Sequence, residues 1–120
     1  MNLLDSITSS DPIDFGELDR TDVFEVLANE RRQIVIEYVS YHRDTKEFDI
    51  NDFTLAVARC QAAGDAPYSG ETRKRFYVAL YQVHMDVLLD GKVLTEVRHN
   101  VYGRGPYFEE YARLLQSVKK

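Results

Sequence analysis

The chain has 120 residues, 15 basic against 20 acidic for a net charge of −5, with 44% apolar and 12% aromatic side chains. That length supports one domain, that apolar share excludes wholesale disorder, and no run of 18 apolar residues offers a membrane span. A single cysteine, Cys60, excludes an internal disulfide and a Cys/His zinc cluster, so no metal and no cofactor are expected.

Residues 1–16 read as a flexible acidic arm broken by Ser9, Ser10, Pro12 and Gly16, with one short apolar patch at Leu3, Leu4 and Ile7. The arm has neither the basic nor the apolar region of an export signal, and a cytoplasmic protein is the expectation. Residues 1–30 hold eight acids and one base, Arg20, whereas residues 31–120 hold 14 bases against 12 acids. An acidic total disfavours general attraction to nucleic acid and leaves a local basic patch as the only route to it.

Helical periodicity runs from about Leu18 to His42, either as two helices with a bend near Asn29 or as one kinked helix. A polar hinge, 42–47, leads to a helix capped by Asp49 or Asn51 and ending before Gly64, with Phe53, Leu55, Ala56, Val57 and Cys60 on its buried side. That face makes Cys60 a buried, inert thiol. The stretch 64–70 is a loop on composition. A long helix follows over 72–90 with the apolar stripe Phe76, Leu80, Val83, Val87 and Leu88. Residues 93–97 alternate as a strand, 98–100 form a turn, and Val101-Tyr102 with Tyr107-Phe108 give a return strand interrupted at 103–106. A last helix over 109–118 presents Tyr111, Leu114, Leu115 and Val118 on one face.

This order predicts a mainly α fold with a small β-hairpin, a winged helix-turn-helix over 17–106 with an additional C-terminal dimerisation helix over 107–120. In that plan the helix before the hairpin enters the major groove and the hairpin touches backbone or minor groove. Arg73, Lys74 and Arg75, with Ser69 and Thr72 as further donors, would meet phosphate at a helix N-terminus. Tyr77, Tyr81 and Gln82 would lie off the apolar stripe, where glutamine can pair with adenine and tyrosine can contact a thymine methyl. Arg98, His99, Asn100 and Arg104 would supply the wing, arginine being suited to a narrow minor groove. Arg31 and Arg32, at a helix start, are expected to pair with Glu30, Glu25 or Asp22. His84 reads as a hydrogen-bonded core residue.

The string Phe24-Glu-Val-Leu-Ala-Asn-Glu-Arg-Arg-Gln-Ile-Val-Ile resembles the opening helices of haloarchaeal winged-helix transcription regulators related to the PadR-like and ArsR-like groups. Phe76-Tyr-Val-Ala-Leu-Tyr-Gln-Val-His-Met resembles their recognition helix. The resemblance spans roughly residues 18–118. It departs where the family often carries a proline after its histidine, a place held here by Asp86 and by Gly91-Lys92 further on. It implies a salt-loving archaeal host, a homodimer joined by Tyr111, Leu114, Leu115 and Val118 with Leu3, Leu4 and Ile7, double-stranded DNA with a pseudo-palindromic promoter site as partner, and a stress (oxidant) response. The competing expectation is a protein-interaction adaptor or antirepressor on the same fold. No HExxH, GxSxG, P-loop or GxGxxG motif is present, so an enzyme is not expected.

Overall fold

The computed structural model describes residues 13–61 and 70–119. Expectations placed on Leu3, Leu4, Ile7, Gly64 and Ser69 lie outside the described residues.

Helix α1 spans Arg20–Leu27 and α2 spans Glu30–Tyr41, two helices rather than one kinked rod. Each begins on a side-chain cap: Asp19 Oδ1 accepts from the Asp22 amide at 2.9 Å, and Asn29 Oδ1 from the Arg31 amide at 2.8 Å. The strand β1, Phe48–Asp49, runs straight into helix α3, Ile50–Gln61. Asp49 Oδ1 accepts from the Asn51 amide while Asp52 Oδ2 accepts from the Asp49 amide, a reciprocal cap that fixes where α3 starts.

A continuous rod follows: α4 (Gly70–Ala79), a π-helical turn (Leu80–His84) and α5 (Met85–Asp90). It ends on Lys92 at φ +63°, with the Val93 amide donating to Leu88 O and the Lys92 amide to Leu89 O. Gly91 sits at φ −78° and is needed for space, since a Cβ there would meet Val26 Cγ2 at 2.7 Å. Strands β2 (Leu94–Arg98) and β3 (Val101–Arg104) form a tight hairpin, and α6 (Phe108–Lys119) closes the chain.

The fold is mainly helical with a three-stranded antiparallel sheet in the order β1-β3-β2. The sheet corrects the expected two-stranded hairpin, because Phe48 and Asp49 pair with Tyr102 and Val101 instead of merely leading into a helix. Residues Gly103 and Arg104 continue β3 without interruption, opposite Thr95 and Leu94. The irregularity lies in β2, where Val97 is the extra residue between the pairs Glu96–Tyr102 and Arg98–Val101. Tyr107 and Phe108 are turn and helix, not strand.

One core unites the helices with the inner face of the sheet. Val35, Ile36, Val39, Phe53, Val57, Leu80, Leu88, Val93, Tyr111 and Leu114 are all fully buried. No helix among the described residues is long and apolar enough to cross a membrane.

Inside this core lies a charged residue, Arg32. Its Nε donates to Val26 O at 3.0 Å and its Nη2 to Glu25 O at 2.7 Å, the last carbonyls of α1. Its Nη1 reaches His84 Nδ1 at 3.0 Å, so the neutral ring accepts there. The neighbouring Gln33 Nε2 donates to Leu27 O. Arg32 was expected to pair with carboxylates; it serves backbone carbonyls because a C-terminal helix end left four acceptors to satisfy. Burial, then the positive charges of Arg32 and Arg31, push the His84 pKa down to about 4.

Two measurements check this clasp. Arg32→Ala leaves buried acceptors without a donor and should lower urea stability by about 3 kcal/mol with an unchanged m-value. His84 has a folded pKa below its unfolded value of 6.5, so the unfolded chain binds the proton first. Stability should therefore fall as pH drops from 6.5 toward 4, and His84→Gln should flatten that slope.

Candidate nucleic-acid interface

The cations at the start of the rod stand on its outer flank. Arg73, Lys74 and Arg75 are exposed, and none has a hydrogen-bond or ion-pair partner among the described residues. Thr72 is half-buried beside them. A shallow depression of about 660 Å³ runs along this flank, lined by Glu71, Thr72, Lys74, Arg75, Val78 and Ala79. Glu71 is the one acid in the first turn.

Farther along, Tyr77 and Tyr81 lie parallel, ring centroids 6.0 Å apart and 6° between planes. Tyr77 is half-buried because the hairpin tip leans on it, Asn100 Nδ2 donating to its hydroxyl at 3.4 Å. Tyr81 and Gln82 are exposed. The π turn then alters the expected stripe. One additional residue per turn rotates Val83 outward to 52% exposure and brings His84 and Met85 into the core. Val78, 38% exposed, stands on the same outer face. Neither Val78 nor Val83 was expected in a site; only the exposure of apolar side chains reveals them, since helical spacing put Val83 in the core.

The hairpin does not present the arginines as expected. Arg104 Nη1 donates to Thr45 O at 2.7 Å and its Nη2 to Val39 O and His42 O at 2.9 and 3.0 Å. The guanidinium also lies 5.7 Å over the Phe48 ring and 5.5 Å over Phe108. Arg104, expected to reach DNA, thus closes the C-terminal end of α2. Arg98 stays at the surface in an ion pair with Glu47 at 2.9 Å, the side chains 65% and 46% exposed. His99 is exposed at the tip. Asn100 adopts φ +62°, and its carbonyl accepts from the Ile50 amide at 2.9 Å, which pins the tip to the start of α3. The hairpin is a braced corner rather than a free flap.

Acids lie close by. Burial raises the Tyr102 hydroxyl pKa, and the negative charge of Glu96, with Asp86 and the nearby tyrosines, raises it further. The three adjacent exposed cations stand in the first turns of the rod.

Other basic candidates are committed elsewhere. Arg31 Nε donates to Gln61 Oε1 at 2.9 Å, Gln61 Nε2 donates to Glu30 Oε1, and the Arg31 guanidinium covers Phe76 at 5.0 Å. This chain ties α2, α3 and α4 together, with Gln61 where a direct Glu30–Arg31 pair was expected. Cys60 is exposed, which corrects the buried thiol of the sequence reading. By helical angle Cys60 falls between the buried Phe53 and Ala56, so its exposure goes with its place in the last turn of α3, one residue before Gln61.

The residues expected to join two subunits are largely internal. Tyr111, Leu114 and Leu115 are 0%, 0% and 4% exposed within one chain, so they have almost no surface left to give a partner. Val118 alone of that set is exposed among the described residues. The free side of α6 borders a groove of about 660 Å³ against α2, where Phe108 and Ala112 line the wall and Tyr41 stands 79% exposed at the rim.

Residues 24–100 match a family described as a domain of unknown function (DUF7344). No curated protein and no solved structure matches the chain.

The two hairpin arginines should separate cleanly on mutation. Arg104→Ala removes three hydrogen bonds and two ring contacts and should cost about 2–4 kcal/mol in thermal or urea unfolding. Arg98→Ala breaks one exposed pair and should shift stability by less than about 1 kcal/mol.

Proposed function

The chain belongs to that DUF7344 family, and from its geometry we propose a sequence-specific DNA-binding regulator built as a winged helix-turn-helix, with α3 and the α4–α5 rod as the helix pair and β2–β3 as the wing. The observation that carries this reading is the run Arg73-Lys74-Arg75, outward on a long helix and unengaged by any neighbour among the described residues. Two of the chain's other arginines, Arg32 and Arg104, are used internally, and Arg98 is paired. Three adjacent cations without a structural role are suited to phosphate, and Arg75, Lys74 and Arg73 fan around the helix where they can straddle a groove.

In this reading the rod lies in the major groove, entering by its N-terminal half. The wing acts chiefly by holding the rod through Asn100 and Tyr77, with His99 and Arg98 as its backbone contacts. Two copies would place two such helices about 34 Å apart on a pseudo-palindromic site. The dimer surface falls to the free side of α6 and the Tyr41 rim of the α2 groove, because the expected apolar residues of α6 are internal. That same groove favours a second reading, an adaptor that docks a protein partner without DNA.

Titration with fragments of genomic DNA at several salt concentrations, within the range where circular dichroism shows the chain folded, decides between them. Affinity should fall as salt rises, with a slope near −0.9 per neutralised phosphate. Arg73→Ala and Lys74→Ala should each reduce that slope by about 1 while leaving the unfolding midpoint unchanged. No retention of any fragment at the lowest salt would favour the adaptor.

A further inference from the structure

Three of the large apolar side chains with the greatest exposure stand on one rod within six residues: Val78 at 38%, Tyr81 at 47% and Val83 at 52%. Gln82 is exposed among them. An apolar side chain on a helix normally turns inward, and the π turn at Leu80–His84 does the reverse for Val83. This patch is continuous with the cations of Lys74 and Arg75, about one helical turn before Val78.

We infer that Val78, Gln82 and Val83, flanked by Tyr81, form a reading face for A·T base pairs in the major groove. The proposal rests on the DNA-binding reading above and names what the helix would recognise. From Lys74 to Val83 the helix rises about 14 Å, the axial span of about four base pairs at 3.4 Å each. The cations at one end supply phosphate contacts, and a groove about 12 Å wide admits the helix carrying them. Only the major groove of A·T pairs offers an apolar group, the C5-methyl of thymine, beside an acceptor and donor pair on adenine that a glutamine amide matches. Val78 and Val83 have no polar atoms to offer a base edge; their chemistry fits the methyl. Gln82 fits adenine N6 and N7. The charge of the flank favours nucleic acid over a second acidic copy of this chain as the occupant.

The test uses the full chain and duplexes enriched by it from a random pool. Each enriched duplex is remade with deoxyuridine at every thymidine, which removes only the C5-methyl groups. Wild type should bind the deoxyuridine form about fourfold more weakly for each methyl it covers. The double variant Val78→Ala, Val83→Ala, which touches no core position, should unfold at the wild-type midpoint and bind the two forms equally. Enriched duplexes bound equally by wild type in both forms would overturn the methyl reading while leaving DNA binding intact. Enrichment of G·C runs without A·T positions would do the same. Failure to enrich any duplex would overturn both proposals. A variant that lost self-association instead, by sedimentation, would assign the patch to a second copy and likewise overturn it.

Discussion

Three elements, α1, α2 and the outward-facing rod, are oriented through one buried guanidinium. Arg32 sits at the first turn of α2, an unfavourable place for a cation beside a helix N-terminus. It is retained inside the core, 7% exposed, because it faces the opposite dipole, the carbonyl end of α1. Charged hydrogen bonds to Glu25 O and Val26 O offset much of its desolvation, the largest effect on its pKa, which burial lowers and Glu25 raises. Its third contact, His84, belongs to the rod. One side chain thus sets α1, α2 and the outward-facing rod relative to one another. If His84 were protonated, it would place a second positive charge against the first, so the clasp requires the neutral ring.

The π turn follows from the same constraint. In an uninterrupted α-helix, the core face set by Phe76 and Leu80 continues through Val83 and Val87. The wider turn hands that face to His84, Met85 and Leu88, which are buried at 5%, 2% and 0%. Once the histidine faces Arg32, Val83 must leave the core. The outward apolar patch is the other side of an inward polar contact.

Much of the fold was legible from spacing and caps. Asn29 and Asp49 each satisfy helix amides as their residue types suggest, and the helix, hairpin and final-helix order stands in the architecture. The short β1 was illegible because two residues have no periodicity, and their strand exists only through pairing with Val101 and Tyr102. The site was harder. Composition shows ten arginines but not which are spent: Arg32 and Arg104 both close helix ends, a role that depends on carbonyls brought near by tertiary packing. The same limit applies to Tyr111, Leu114 and Leu115. A helical apolar face is identical on paper whether it meets its own chain or another.

A net charge of −5 and a cationic helix flank are compatible once distance is considered. Exposed charges beyond a Debye length of about 8 Å at physiological ionic strength are largely screened, so a phosphate at Arg73 responds to its near neighbours more than to the total. The total acts instead on non-specific binding, which grows with the number of cations a surface offers and collapses as salt rises. With three unengaged cations on the flank, that contribution is small. In the proposed regulator, discrimination would then come from contacts that salt weakens little, and apolar packing on base edges is one. An acidic protein that reads DNA therefore has physical reason to expose valine on its reading helix, where a strongly basic one could rely on phosphate alone.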